Sequence, residues 1–175
     1  MKTPFYAALA VTLLAAPCLS QGLSQELKPA ELSLPQSSLV LEVHGAIANV
    51  NSDGAALFDM GMLRALPPAS LETSTAVTDG VHRFDGFLMR DLLDLLGATG
   101  TTVTASALND YVIEFTAEEF ERFDVLVAYE MDGEARLPSD KGPLWIVYPR
   151  EQHAELQDIR YDYRCVWQWM RLDVK

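Results

Sequence analysis

Cysteine is almost absent from this 175-residue chain, which has only Cys18 and Cys165. Cys18 falls in an N-terminal segment expected to be removed, so Cys165 has no intramolecular partner and no disulfide framework holds the fold. An exposed lone thiol is a liability in an oxidising compartment. Cys165 is therefore read as a buried, inert thiol on a strand, with a metal-ligand or dimer-disulfide role as the alternatives. The three histidines, His44, His82 and His153, are far apart, and no pair has the close spacing of metal ligands. Glycine-rich phosphate loops and a Ser or Cys nucleophile elbow are both missing, which argues against nucleotide-cradling and acyl-transfer chemistry. Positive charge is scarce too: 13 Lys+Arg face 25 Asp+Glu, for a net charge of -12. Nucleic acid and anionic membrane surfaces need neutralising cations, so neither is expected as a partner. The acids are scattered apart from Glu118-Glu119-Phe120-Glu121. The pairs Asp91 with Asp94 and Glu118 with Glu121 lie on predicted helix surfaces and read as solvated faces rather than acid-base couples.

Only the N-terminus carries a long apolar run. Lys2 precedes Phe5-Tyr-Ala-Ala-Leu-Ala-Val-Thr-Leu-Leu-Ala-Ala16, then small residues and a polar switch at Gln21. A positive start, a short apolar core and a small-residue exit describe a cleavable export signal, residues 1–20, with the cut expected after Ser20. The run falls short of the about 20 residues a spanning helix needs. Pro17 before Cys18 argues against lipoprotein processing. The expected product is periplasmic or otherwise exported, with no direct membrane insertion. It keeps about 155 residues, enough for one domain with a sizeable core. Residues 21–37, with Pro29 and Pro35, are expected to form a flexible leader, and 38–175 the domain.

Within that domain, Leu39-Val-Leu-Glu-Val43 alternates as a half-buried strand and Asn51-Ser-Asp-Gly54 signals a turn. Asp59 is placed to cap a short helix over Met60 to Leu66, stopped by Pro67-Pro68. Leu71 to Val77 is β-prone, and Asp79-Gly80 turns it into Val81–Phe84. Leu88, Leu92, Leu95 and Leu96 fall on one face of a helix ended by Gly97. Thr101–Thr104 and Tyr111–Phe115 are strand candidates around an Asn109-Asp110 turn. Thr116-Ala-Glu-Glu119 fits a capping box. Phe123–Met131 is β-prone up to the hairpin signal Asp132-Gly133. Leu144–Tyr148 and the alternating Cys165–Val174 complete a mixed, mostly-β α+β domain with two or three short helices.

Four segments carry a resemblance to a known family: Phe84 to Gly97, Ala107-Leu-Asn-Asp-Tyr111, Val125 to Gly133, and Gly142-Pro-Leu-Trp-Ile-Val-Tyr-Pro149. In this order they resemble the oxidoreductase molybdopterin-binding domain of the sulfite oxidase fold, over residues 39 to 173. The resemblance implies a molybdopterin held by a cysteine thiolate in the loop after an early strand, and basic residues that grip the pterin phosphate. Here that loop reads Thr73-Ser-Thr-Ala76, without cysteine, and hydroxyls are poor substitutes for a soft thiolate. Pro149 is followed by Arg150-Glu-Gln-His-Ala-Glu155, one cation and two acids. Cys165, on the last strand, is not expected to replace the missing ligand. The chain is thus read as a compact exported relative without the molybdenum cofactor.

The family's pocket would gather Thr75, Asp79, Arg83, Asn109, Asp110 and Tyr111 as ligand-binding residues; the alternative is that Asn109-Asp110 only builds a turn and Tyr111 only packs. Trp145, Tyr148, Trp167 and Trp169 read as core or edge packing, with a few able to line an aromatic pocket. Three functions follow: a cofactor-free binding module for a small molecule or an envelope or membrane protein partner, a molybdopterin-dependent oxidoreductase without a cysteine ligand, or a structural subunit of an envelope redox complex. No catalytic residue is assigned.

Overall fold

A computed structural model describes residues 32–175; the expected export signal and residues 21–31 of the expected leader lie outside them. In chain order the strands are β1 (Leu39–Gly45), β2 (Ala55–Asp59), β3 (Pro68–Thr73), β4 (His82–Leu88), β5 (Thr102–Ala107), β6 (Val112–Thr116), β7 (Leu126–Met131), β8 (Glu134–Ala135), β9 (Trp145–Val147) and β10 (Trp169–Val174). Four short helices interrupt them: α1 (Met60–Arg64), α2 (Met89–Leu96), α3 (Ala117–Phe123) and α4 (Ile159–Asp162). This is the sheet-rich α+β domain expected. Among the described residues no helix is long and apolar enough to cross a membrane.

Two sheets organise the chain. The first has the order β2-β1-β10-β5-β6, antiparallel except where β1 and β10 run parallel. The second has the order β3-β4-β7-β8, with β9 also paired to β7, and is antiparallel throughout. One large core gathers Leu41, Val43, Phe58, Val103, Phe115, Trp169 and Leu172 of the first sheet with Phe87, Val127 and Ile146 of the second. A smaller core of Leu71, Phe84, Leu126, Ala128, Trp145 and Val147 forms on the other face of the second sheet. Successive strand residues point to opposite faces. That is why β7 and β9 divide their side chains between the two cores and why Trp145, Ile146 and Val147 are all buried.

Local chemistry explains the helices. Asp59 caps α1: its Oδ1 accepts from Met62 N–H (2.9 Å) and its Oδ2 from Gln36 N–H (2.7 Å) and Ser37 N–H (3.0 Å). Residues 36–37, expected within the leader, are thereby tied to the start of α1. The helix stops at Arg64, and Pro68 opens β3. A proline is tolerated there because β3 is an edge strand, where one N–H is not needed for a ladder. Gly97 ends α2 in the left-handed region (φ 58°), as expected. The buried face of α2 is Met89, Leu92, Leu93 and Leu96 rather than the expected set with Leu88 and Leu95. Leu88 belongs to β4, so the helix starts one residue later, and Leu95 packs against the core only partly buried. Thr116 and Glu119 close the expected capping box on α3. Asp132 (φ 55°) and Gly133 (φ 79°) make the expected hairpin between β7 and β8.

Two strands differ from the sequence reading. β3 ends at Thr73, not Val77, because Thr75 N–H turns back onto the Thr78 hydroxyl (3.1 Å). The last strand begins at Trp169, and Cys165 is not on it. Gln168 sits in the left-handed region (φ 55°) and the register shifts between Trp169 and Arg171, so strict alternation from 165 cannot persist.

Candidate functional site

A cleft of about 280 Å³ opens where three segments meet. Ala76 and Val77 come from the β3–β4 loop, Asn109 and Tyr111 from the β5–β6 turn, and Ile159, Asp162, Tyr163, Cys165, Val166 and Trp167 from α4 and the connection to β10. Its floor is buried: Cys165 is 4% exposed and Val166 1%. Its rim is unusually apolar, with Val77 41%, Ile159 64% and Tyr163 63% exposed.

The turn that carries Asn109 and Tyr111 is fixed locally. Asp110 takes a positive φ (62°), which Asp tolerates better than most residues. The Tyr111 N–H donates to Asn109 Oδ1 (3.2 Å), and Tyr111 N–H and C=O stay in register through Ala107 N–H donating to Tyr111 O (2.9 Å). The Tyr111 hydroxyl crosses the cleft to donate to Tyr163 O (2.6 Å), tying the turn to the segment after α4. Burial raises the Tyr111 phenol above its ordinary range.

On the opposite wall, Asp158 caps α4 by accepting from Arg160 N–H (2.9 Å). Asp162 accepts from Arg150 Nη1, so this cation and anion are spent on each other. Burial pushes the Cys165 thiol up to about 11, and its S–H faces Tyr161 O (3.8 Å). The thiol is neutral at physiological pH, the poorer form for nucleophilic attack.

Beside the cleft, the loop after β3 is closed by a carboxylate. Glu151 accepts from Ser74 N–H through both oxygens (3.0 Å each) and from the Thr73 hydroxyl. Thr73 is fully buried, and its Oγ1 also accepts from Arg150 N–H (3.1 Å). Burial works against the Glu151 charge, yet the Ser74 and Thr73 hydrogen bonds win and hold its carboxyl below the usual range. Thr75 is buried as well and bonds to the Thr78 hydroxyl (3.0 Å), shaping the loop without lining the cleft.

The six expected ligand residues therefore separate. Asn109 and Tyr111 line the cleft and Thr75 supports its loop. Asp110 supplies the turn. Arg83 and Asp79 lie elsewhere: Arg83 is exposed on β4, with Nε 3.1 Å from both Asp85 oxygens and Nη2 3.1 Å from the Ser70 hydroxyl. Asp79 offers its backbone oxygen to His82 Nε2 (3.0 Å). Of the four aromatics considered, Trp145, Tyr148 and Trp169 are fully buried and Trp167 lines the cleft. The histidines stay apart, His44 beside Glu42, His82 beside Asp132 and His153 edge-on to Phe123. The sequence reading missed Ile159, Asp162, Tyr163 and Cys165; the signal that could have placed them is Asp158, an N-cap residue ahead of a one-turn helix.

A wider groove of about 930 Å³ runs between residues 32–37 and α1 and α2, edged by Asp59, Asp91 and Asp94. Its Asp59 is consumed by capping, and none of the residues expected to bind a ligand borders it.

No protein-family model matches the sequence, and no curated protein matches it. Among solved structures the fold is found again in an oxidoreductase. That structure is the sulfane dehydrogenase SoxCD from Paracoccus pantotrophus, similar over 83% of this chain with a TM-score of 0.59 and 19% sequence identity. The chain spans 40% of the length of the SoxCD chain it matches, and the likeness is one of fold.

The molybdopterin that the resemblance implies can be tested against these donors. A pterin phosphate needs cations and free N–H groups, and its metal needs a thiolate. The donors of the loop after β3 are already given to Glu151, and Arg150 is paired with Asp162. Among the described residues no group of three His, Cys, Asp or Glu side chains is placed to hold a metal ion. The residues present do not fit that group.

Proposed function

We propose that this chain is an exported, cofactor-free member of the sulfite oxidase fold that acts as a periplasmic binding module, holding a small molecule in the cleft beside Tyr111 and Cys165. The observation that carries this reading is Glu151. A carboxylate occupies the loop at which the resemblance puts a metal and an anionic cofactor, and a second anion there would face repulsion instead of donors. The four resembling segments and the SoxCD-like fold support the scaffold. The apolar signal-like run at residues 5–16 supports export.

A second reading, a molybdopterin-dependent oxidoreductase or a subunit of one, is favoured by the structural likeness to a sulfane dehydrogenase over 83% of the chain. Fold alone does not carry chemistry with it. The two readings part on one measurement. The protein is purified from the exported fraction of its native host, then assayed for molybdenum by elemental analysis and for pterin by fluorescence after oxidation. A folded protein with neither is the expected result. Stoichiometric molybdenum or pterin overturns the binding-module reading.

A further inference from the structure

We infer that the cleft selects a small, uncharged, largely apolar ligand that offers one hydrogen-bond acceptor. The inference rests on the reading of this cleft as the binding site and adds the chemistry of what enters it.

Three features point the same way. The first is exposed carbon. Val77, Tyr111, Ile159 and Tyr163 reach the rim from three separate segments and are 41%, 37%, 64% and 63% exposed, above a floor of buried Cys165 and Val166. Large side chains left in water around a concave floor mark surface that a ligand would cover, since burying apolar area is favourable. The second is charge. Asp162 is neutralised by Arg150, the Cys165 thiol is protonated, and the lining includes no lysine or arginine. A charged ligand would lose water and gain no counter-charge. The third is the hydrogen-bond inventory. The Tyr111 hydroxyl is spent on Tyr163 O, and Asn109 Oδ1 is spent on Tyr111 N–H. The Asn109 amide N–H groups are left to meet an acceptor on the ligand. A volume of about 280 Å³ suits a body of one or two rings.

A matched pair of probes tests this on the full chain. 2-Acetylnaphthalene is uncharged, has two rings and offers one carbonyl acceptor, and naphthalene-2-sulfonate carries the same rings with a sulfonate. The neutral probe should bind one to one, and the sulfonate should bind at least about tenfold more weakly. The double variant Val77→Glu/Ile159→Glu changes two exposed side chains, so it should keep its circular dichroism and lose the neutral probe about tenfold or more. Asn109→Ala is a second variant, expected to weaken only ligands that carry an acceptor. Equal or tighter binding of the sulfonate, binding unchanged in the double variant, or no binding of the neutral probe would each overturn the inference. Cleft filling only by an apolar peptide side chain, with no small probe taken up, would overturn it as well. None of these outcomes bears on molybdenum content, so failure here and failure of the cofactor-free reading are separate results.

Discussion

His82 shows how single side chains set the local electrostatics. Its Nδ1 lies 2.6 Å from Asp132 Oδ2, and its Nε2 faces Asp79 O, so the ring bridges the β7–β8 hairpin and the β3–β4 loop. The hydrogen bond to Asp132 holds the imidazole above its ordinary range, and the same bond holds Asp132 below the carboxylate range. The signs are opposite. His82, raised in the folded state, contributes stability that is complete below its unfolded value of about 6.5 and fades as pH rises through the folded pKa. Asp132, depressed in the folded state, contributes above its unfolded value of about 3.9 and loses that as pH falls through its folded pKa. The bridge is thus strongest between those two limits. An NMR titration should find the His82 midpoint raised, and Asp132→Asn should return it toward the ordinary histidine value; a midpoint unmoved by the substitution would refute the pairing. At this scale the sequence was partly legible. Asn109 and Tyr111, expected as pocket residues from the family resemblance, both line the cleft, although the local signal of the turn dipeptide spoke only for a turn. Arg83 was not legible as a spent cation, because its strand was expected to stop at Phe84, short of Asp85, and only the register of β3 on β4 brings the Ser70 hydroxyl to it.

Among the elements, β4 depends on a close approach that only glycine permits. A Cβ at Gly86 would lie 1.9 Å from Val127 O and 2.9 Å from the Ala128 Cα, where the β4–β7 register shifts. Gly86→Ala must therefore push two paired backbones apart, and the expected cost is at the upper end of the roughly 1–3 kcal/mol typical of overpacking. Chemical denaturation measures it; a loss below about 0.5 kcal/mol would show that the strands do not meet so closely. Elements with their own punctuation were legible: Gly97 after α2, the capping box of α3 and Asp132-Gly133 all act within a few residues. The stretch before β10 was not. Cys165 and Val166 are apolar because they pack on the large core, with Val166 O accepting from Ile146 N–H (2.8 Å) in β9. Their alternation with Trp167 and Trp169 imitates a strand that the left-handed backbone at Gln168 interrupts. This misreading hid the cleft, since a strand from 165 would have carried the thiol away from the β3–β4 loop.

For the whole molecule, α+β class and mostly-β character were legible from turn signals and alternation, whereas the pairing of distant strands was not. β10 holds the first sheet together, with parallel β1 on one side and antiparallel β5 on the other. Removing residues 169–175 should leave two separate hairpins, β1–β2 and β5–β6, and expose Val103, Ala105 and Leu41 to water. Isolated hairpins are marginal in water. Calorimetry of the shortened chain should show no cooperative transition, and a sharp transition near that of the full chain would contradict the central role given to β10. The same arrangement also fixes an order of events. Residues 169–174 emerge after every other strand of this sheet, and β1 must wait for a partner about 130 positions away, a long loop to close. Such non-local pairing slows folding. A chain built this way cannot close its first sheet piece by piece, so that sheet is expected to form late and in a single step, once β10 has found β1 and β5 together.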